Sequence, residues 1–169
     1  MVHHQADAPD DPVGSCAYFS RLIGSDPDLV LHGGGNSSVK APWSDITGRI
    51  REAIFVKGSG WDMGSLEVDG LTALSLSRLR ELLELDELSD VDMMRELAAS
   101  KFDPGAPNPS VETLLHAFLP YPAVQHSHAD VIVTLTNLAS PDALVREVYG
   151  DDVVVIPYVM PGFDLAREV

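Results

Sequence analysis

Two histidines separated by one residue, His126 and His128, stand at the end of a short apolar run over residues 121–125. If this segment is extended, side chains at positions i and i+2 project to the same side. Their ring nitrogens can then converge on one point, and neutral imidazole is a common ligand for zinc. Upstream, Glu112 opens a helical pattern and can supply a carboxylate. The cluster indicates a divalent-metal site, but such triplets occur in unrelated folds and define no reaction.

Two glycine-rich loops have the residue types that bind an anion. The first covers residues 32–38 and follows an apolar run, and the second covers residues 57–60. Glycine lets the backbone approach an anion closely and expose several N–H groups to it. Neither loop matches the P-loop or the dinucleotide-binding pattern, so we do not expect nucleotide binding. We interpret Lys57 as a solvated or phosphate-steering lysine rather than a Schiff-base lysine.

Composition limits the class of partner. The 169 residues carry 26 acidic and 11 basic side chains, a formal net charge of −15. Nucleic acids and anionic membranes need clustered lysine and arginine, so we expect neither as a partner. Cys16 is the only cysteine; no internal disulfide can form, which favours a cytoplasmic protein and a buried, unreactive thiol. No run of about 18 apolar residues predicts a membrane span.

The elements that must position these groups alternate between helix and strand, which predicts an α/β fold with a central sheet flanked by helices. Apolar periodicity predicts helices over residues 13–25, 71–83, 90–100, 110–119, 129–139, 142–149 and 164–169. Strands are predicted near 37–41, 50–56, 124–128 and 153–156, with a turn over 45–48. Ser110 is predicted to cap the fourth helix. His116, one helical turn after Glu112, is interpreted as a packing residue that supports the site.

The ordered motifs resemble the class II aldolase/adducin family over roughly residues 15–169. The segments that carry the resemblance are Gly-Gly-Asn-Ser-Ser-Val-Lys at 34–40, Lys-Gly-Ser-Gly at 57–60, Pro-Ser-Val-Glu-Thr-Leu-Leu-His at 109–116 and His-Ser-His-Ala-Asp at 126–130. Within this family, the chain is most similar to the N-terminal aldolase part of bifunctional rhamnulose-1-phosphate aldolase/alcohol dehydrogenases. The resemblance implies a central β-sheet flanked by helices.

The resemblance also implies roles for particular residues. His126 and His128 match zinc ligands, and Glu112 matches the catalytic glutamate, which is also counted here as a candidate ligand. The positions that match phosphate-contacting residues are Gly35, Asn36, Gly58, Ser59 and Ser110. At the position of a second serine in the family, this chain has Val111. The family's third histidine ligand has no counterpart, because no histidine follows His128.

We therefore expect residues 1–12 to form a disordered tail, with His3 and His4 outside the site. Residues 13–169 are expected to form a class II aldolase/adducin domain that lacks its C-terminal part. His32 and His116 are poor substitutes for the missing ligand. NAD would belong only to the dehydrogenase part of the bifunctional relatives, which is absent from this sequence. The full-length protein is expected to be a homo-oligomer.

The reaction that the resemblance implies is zinc-dependent cleavage of a ketose 1-phosphate, such as rhamnulose 1-phosphate, to dihydroxyacetone phosphate and an aldehyde such as lactaldehyde. Another divalent metal could serve in place of zinc. Three alternatives stay open: a sugar-phosphate epimerase of the same superfamily, a non-catalytic adducin-like interaction domain, and an inactive fragment. Aldolase and epimerase use the same metal and phosphate contacts, so the motifs do not separate them.

Overall fold

The framework of the molecule is a four-stranded antiparallel sheet, seen in a computed structural model that describes residues 8–169. The strands are β1 Asn36–Ser44, β2 Ile50–Lys57, β3 Leu71–Ser75 and β4 Ala123–His126. Their spatial order is β3-β2-β1-β4. Because β1 lies between β2 and β4, its first residues meet the strand that ends at His126.

Helices lie on both faces of this sheet, as the predicted α/β fold requires. They are α1 Pro12–Gly24, α2 Leu76–Glu81, α3 Asp90–Ala99, α4 Thr113–Phe118, α5 Asp130–Thr136, α6 Pro141–Tyr149 and α7 Phe163–Glu168. Each of the seven predicted helical regions overlaps one of these helices, although the region 71–83 does so only in its second half. Within residues 8–169, none of the helices combines the length and the apolar character needed to cross a bilayer.

The start of α1 is fixed by local chemistry. Asp11 accepts a hydrogen bond from the backbone N–H of Gly14 at 2.7 Å, and Pro12 occupies the first helical position, where a missing N–H costs nothing. The helix therefore begins one residue before the predicted position. Residues 1–7, with His3 and His4, lie outside the described part of the chain.

The hairpin of β1 and β2 confirms the predicted turn. The side chain of Asp45 accepts hydrogen bonds from the backbone N–H groups of Thr47 and Arg49 at 2.8 and 3.0 Å. Gly48 has φ of +80°, a left-handed conformation that glycine adopts without strain. The register pairs Ser44 with Ile50, so the turn fixes the pairing of the whole hairpin.

Alternating residues of β2 divide the core into two apolar clusters. Ile54 and Val56 belong to a cluster on the face covered by α2, α3, α4 and α7. Phe55 packs against a second cluster, on the other face, that contains Cys16 and Ala17 of α1. Side chains alternate between the two faces of a strand. Successive side chains of β1 therefore point in turn to the face covered by α4 and to the face covered by α1.

The helix predicted over residues 71–83 is wrong in its first half. Leu71–Ser75 forms strand β3, which pairs with β2, and α2 begins only at Leu76. Leu71 and Leu74 are buried in clusters on opposite faces of the sheet. In a strand that is buried on both faces, apolar residues can lie three positions apart, as they also do in a helix. The spacing of apolar residues alone therefore does not distinguish the two structures.

Two further predicted elements differ from the structure. Residues 153–156 are not a strand, and Val154 is 85% exposed, because the segment pairs with no strand of the described residues. The predicted strand 124–128 ends at His126, because the N–H of His128 turns away to donate to the carbonyl of Leu29 at 2.8 Å. An apolar, β-branched segment forms the hydrogen bonds of a β-ladder only when a partner strand lies beside it.

Ser110 does not cap a helix, which corrects the prediction that it does. The helix α4 begins at Thr113, and Glu112 occupies the capping position without a capping side-chain bond. Pro109 forms an isolated bridge with Gly58, which holds the chain extended just before Ser110. The carbonyl of Ser110 instead accepts the N–H of Thr113 at 3.1 Å, so a turn separates the bridge from the helix.

The thiol of Cys16 is buried, as predicted, and 4% exposed. Burial raises its pKa to about 11, against a weaker opposing hydrogen bond with Ser20. At pH 8 about a thousandth of the thiol is then ionised, against about a tenth at the ordinary value of 9.0. We expect the folded protein to react with iodoacetamide at least about 100-fold more slowly than the protein in urea, measured by mass spectrometry. Equal rates in the two states would contradict this account.

Candidate metal and anion site

The imidazole pair lies at the end of β4, next to the first residue of β1. In the antiparallel ladder His126 is directly opposite Asn36, so both side chains project to the face that α4 covers. The rings of His126 and His128 have centroids 4.9 Å apart at an interplanar angle of 60°. The extended segment thus brings the two rings together as predicted, although His128 itself lies beyond the last strand residue.

Glu112 faces this pair from the start of α4. Its Oε2 lies 3.2 Å from His126 Nδ1 and accepts a hydrogen bond from Asn36 Nδ2 at 3.4 Å. The Glu112 side chain is 24% exposed and that of His126 is 32% exposed, so a ligand can reach both. Glu112, His126 and Asn36, which are far apart in sequence, therefore form one polar cluster that is open to solvent.

The environment of Glu112 stabilises its ionised form. Burial alone would raise the pKa of the carboxyl, but the hydrogen bond and charge interaction with His126 and the hydrogen bond from Asn36 outweigh it. The pKa of Glu112 is therefore held below its ordinary value of 4.5. At neutral pH the group is a carboxylate that can accept a proton. Ser110 Oγ also accepts the Glu112 N–H at 3.3 Å, which fixes the backbone at this position.

A second contact between β1 and α4 lies one helical turn further on. Ser38 Oγ is 2.9 Å from His116 Nδ1, and both side chains are buried. Asn36 and Ser38 lie on the same face of β1, whereas His116 of α4 lies four residues after Glu112, the residue at the capping position of that helix. The two pairs therefore match in spacing, and together they fix both the rotation and the position of α4 against the strand.

His116 is buried beside the site and uses only one of its ring nitrogens among the described residues. Burial lowers its pKa to about 4, so the ring is neutral at physiological pH. Its Nε2 has no hydrogen-bond partner within residues 8–169. The supporting position predicted for His116 is consistent with this geometry, since the ring contacts Ser38 rather than the imidazole pair.

The glycines of the first loop lie close to neighbouring backbone and side chains, and Gly35 lies closest. A Cβ on Gly33 would lie 3.2 Å from the carbonyl oxygen of Gly60 in the second loop. On Gly34 it would lie 3.1 Å from His128 Nδ1, and on Gly35 2.8 Å from the carbonyl oxygen of His126. Gly35 also has φ of +64°. The loop therefore packs against both the second loop and the histidine pair, and at Gly35 there is no room for a side chain.

The second loop lies beside the first, and two of its amides are already engaged. The N–H of Gly58 donates to the carbonyl of Gly70 at 2.9 Å, and the N–H of Ser59 donates to the carbonyl of Asn108 at 2.8 Å. In this arrangement neither N–H is available to an anion. Of the other three predicted phosphate contacts, Asn36 donates to Glu112 Oε2 and Ser110 Oγ accepts the Glu112 N–H, while Gly35 has no side chain to offer.

Lys57 is not solvated, which corrects one of the two interpretations given above. Its side chain is buried, with 2% exposure, at the end of β2. Its Nζ donates to the carbonyl of Trp61 at 2.7 Å and to that of Gly33 at 3.4 Å. Sequence reasoning missed this burial, because one of the acceptors lies 24 residues away in the other loop. The only local signal is the apolar run that precedes Lys57 in β2.

The residues present fit a divalent cation in donor chemistry but do not form a closed site. Two imidazoles lie next to each other with a carboxylate beside one of them. Within residues 8–169, however, no three histidine, cysteine, aspartate or glutamate side chains are grouped closely enough to hold a metal ion. His32 is exposed, with φ of 52°, at the start of the first loop. His126 and His128 are therefore the pair that would hold a cation, with Glu112 facing it.

With this fold and site, the chain belongs to the class II aldolase and adducin family, whose N-terminal domain model matches residues 15–169. It is 43% identical to the N-terminal class II aldolase domain of a conserved protein from Thermoplasma acidophilum, with a TM-score of 0.90. That match covers 99% of this chain and 76% of the other. The predicted family and fold are confirmed.

Two other proteins are similar to this chain. The chain is 39% identical over 157 residues to a Bacillus subtilis (strain 168) protein named uncharacterized oxidoreductase YuxG. The match covers 93% of this chain but only 23% of that protein's length. YgbL from Escherichia coli shares the fold, with a TM-score of 0.56 at 17% identity over 92% of this chain and 66% of YgbL.

The contact between Ser38 and His116 predicts a measurable loss of stability. In the variant Ser38→Ala, His116 Nδ1 loses its buried partner, so we expect the free energy of unfolding to fall by about 1–3 kcal/mol. Urea denaturation followed by circular dichroism measures this. The matched control is Ser44→Ala, because Ser44 is exposed on the same strand and should change stability by less than about 0.5 kcal/mol. Equal effects of the two substitutions would show that the contact does not fix α4.

Proposed function

We propose that the chain is the aldolase domain of a metal-dependent lyase. The substrate is a ketose 1-phosphate, with rhamnulose 1-phosphate as the first candidate, which is cleaved to dihydroxyacetone phosphate and an aldehyde such as lactaldehyde. One observation carries the proposal: the carboxylate of Glu112 lies 3.2 Å from His126, whose ring is adjacent to that of His128. Membership of the class II aldolase and adducin family supports it.

His126 and His128 would hold the divalent cation, with zinc as the first candidate because imidazole suits it. When bound, the cation acts as a Lewis acid that stabilises negative charge on the substrate oxygens. Glu112 was also a candidate ligand. Because its Oε2 is already hydrogen-bonded to His126 and Asn36, we assign proton transfer, rather than metal binding, as its first role.

Glu112 would return a proton to, or remove it from, the carbon that forms the new bond. A general base must be ionised and within hydrogen-bond reach of its proton. The lowered pKa provides the first condition, and the exposure of the carboxylate lets a substrate meet the second. Asn36 and Ser110 position Glu112 through its Oε2 and its backbone N–H. The β1–α4 contacts would thereby reduce the freedom of the base before substrate binds.

The substrate phosphate would lie along the two glycine loops. Gly35 and Asn36 from the first loop, Gly58 and Ser59 from the second, and Ser110 were the candidate contacts. Because the amides of Gly58 and Ser59 donate to Gly70 and Asn108, the Ser59 side chain is the freer donor there. Ser59 is exposed. A small phosphorylated sugar needs only such a local pocket and is compatible with the acidic chain.

The protein as a whole is proposed to be a homo-oligomer in the cytoplasm. The Bacillus subtilis relative is named an uncharacterized oxidoreductase, and the match covers 23% of that protein. We propose that any NAD site belongs to the part of such relatives outside this match.

An assay for released triose phosphate separates cleavage from epimerisation, since an epimerase returns a sugar phosphate of unchanged carbon number.

The variant Glu112→Gln tests the proposed base. Glutamine keeps the size and one oxygen of the side chain but cannot accept the proton, so we expect kcat for triose phosphate release to fall at least about 100-fold. The assay uses the enzyme at its full natural length with a panel of ketose 1-phosphates and added zinc. Glu52→Gln is the matched control, because Glu52 is exposed on β2. Turnover by Glu112→Gln equal to that of the wild type would remove Glu112 from this role.

Metal affinity tests the proposed ligands. Two imidazoles and a carboxylate that do not form a closed set should bind zinc weakly, with a dissociation constant in the micromolar range or above. Isothermal titration calorimetry of the 169-residue chain measures it, and the variants His126→Ala and His128→Ala should each abolish the binding. His32→Ala is the control and should leave it unchanged. Tight stoichiometric zinc that survives loss of His126 and His128 would point to other ligands.

A further inference from the structure

His128 lies beyond the end of β4, so the strand that carries His126 does not fix its backbone. The N–H of His128 donates instead to the carbonyl of Leu29 at 2.8 Å. Two residues later, the N–H of Asp130 donates to the carbonyl of Asp28, also at 2.8 Å. The two imidazoles of the proposed metal pair are therefore held by different parts of the chain, one by the sheet and the other by the segment that follows α1.

The two carbonyls that hold His128 and the start of α5 belong to a β-turn over residues 26–29. The N–H of Leu29 donates to the carbonyl of Asp26 at 3.0 Å, and Asp26 Oδ1 accepts the N–H of Asp28 at 3.0 Å. Aspartate at the first position of a turn and proline at the second, here Pro27, are the residue types that favour this conformation. The sequence of this segment therefore specifies its shape locally.

Both ends of the turn are attached to the body of the domain. The N–H of Asp26 donates to the carbonyl of Ile23 in the last turn of α1, at 3.2 Å. After the turn, Val30 is buried with 5% exposure, and a Cβ on Gly35 would lie 2.9 Å from Val30 Cγ2. Because the ends of the turn are fixed, its internal shape decides where the carbonyls that hold His128 lie.

We propose that Asp26 is a positioning residue for the metal pair: its side chain holds the turn whose carbonyls place the backbone of His128, so that the His128 ring lies beside that of His126 before a cation binds. The inference rests on the proposed function, because it takes these two histidines as the ligands. Groups that orient a metal ligand commonly change metal affinity by about 10- to 100-fold when they are removed. A ligand that is already in place loses less conformational freedom on binding.

Zinc affinity of two variants tests the proposal. Asp26→Ala removes the acceptor of the Asp28 N–H, whereas Asp26→Asn keeps an oxygen that can accept it and removes only the charge. We expect the dissociation constant for zinc to rise about 3- to 10-fold in Asp26→Ala, the effect of one hydrogen bond, and to stay within about twofold in Asp26→Asn. Isothermal titration calorimetry of the 169-residue chain measures it, and thermal melting followed by circular dichroism checks that each variant is folded.

The matched control is Asp45→Ala. The Asp45 side chain makes the same kind of contact, accepting the N–H groups of Thr47 and Arg49, but in the hairpin turn at the far end of β1. Zinc affinity of this variant should stay within about twofold of the wild type. Wild-type affinity in Asp26→Ala, or an equal loss in Asp45→Ala, would overturn the proposal. An equal loss in Asp26→Asn would show that the charge acts rather than the turn, and would overturn it too.

Amide hydrogen exchange of the metal-free protein, followed by NMR, tests the same contact without zinc. The amides of His128 and Asp130 should exchange at least about threefold faster in Asp26→Ala than in the wild type, because their acceptors are no longer held in place. The amide of Lys40, which donates to the carbonyl of Pro122 beside β4, should exchange at the same rate in both. Unchanged exchange at His128 would overturn the inference, whatever the zinc affinities are.

The two measurements separate this inference from the proposed function. A wild-type chain that binds no zinc at any accessible concentration would reject the proposed metal centre. Faster exchange at His128 in Asp26→Ala would then still support the placement of the His128 backbone by the turn. Zinc binding by the wild type together with equal affinity in Asp26→Ala would keep the metal centre and reject the role of Asp26.

Discussion

The site depends on how the first residues of β1 contact α4. Asn36 donates to Glu112, and Ser38 contacts His116 one helical turn later. These polar pairs are buried or half-buried at the edge of an otherwise apolar interface, and buried polar groups are costly unless they are paired. Because a shift of one residue would place both strand side chains on the opposite face, the pairing fixes the register as well as the helix.

The same strand organises the rest of the cluster. Asn36 is opposite His126 in the ladder between β1 and β4, which brings the histidine pair to the helix face. Ser37 points to the other face, where its hydroxyl lies 2.5 Å from that of Ser20 in α1. The glycine loop that precedes β1 packs against His128 and against the second loop. The first residues of β1 therefore set the positions of the proposed base, the two imidazoles and both glycine loops.

Those parts of the site that depend on local chemistry could be predicted from the sequence. The proximity of His126 and His128 follows from the alternation of an extended segment, and the hairpin turn follows from the side chain of Asp45. Contacts between distant residues could not be predicted: Ser38 and His116 are 78 residues apart. Burial of Lys57 depends on a carbonyl in another loop. The strand β3 was mistaken for a helix because it is buried on both faces.

The most direct test of the account is the location of a bound cation. Crystals soaked in zinc and measured at the zinc absorption edge would show the metal by its anomalous scattering. The account predicts one peak at the end of β4, about 2.0–2.1 Å from a ring nitrogen of His126 and of His128, with Glu112 facing it. A peak at His32 or His116 instead, or none at the imidazole pair at saturating zinc, would contradict the central claim.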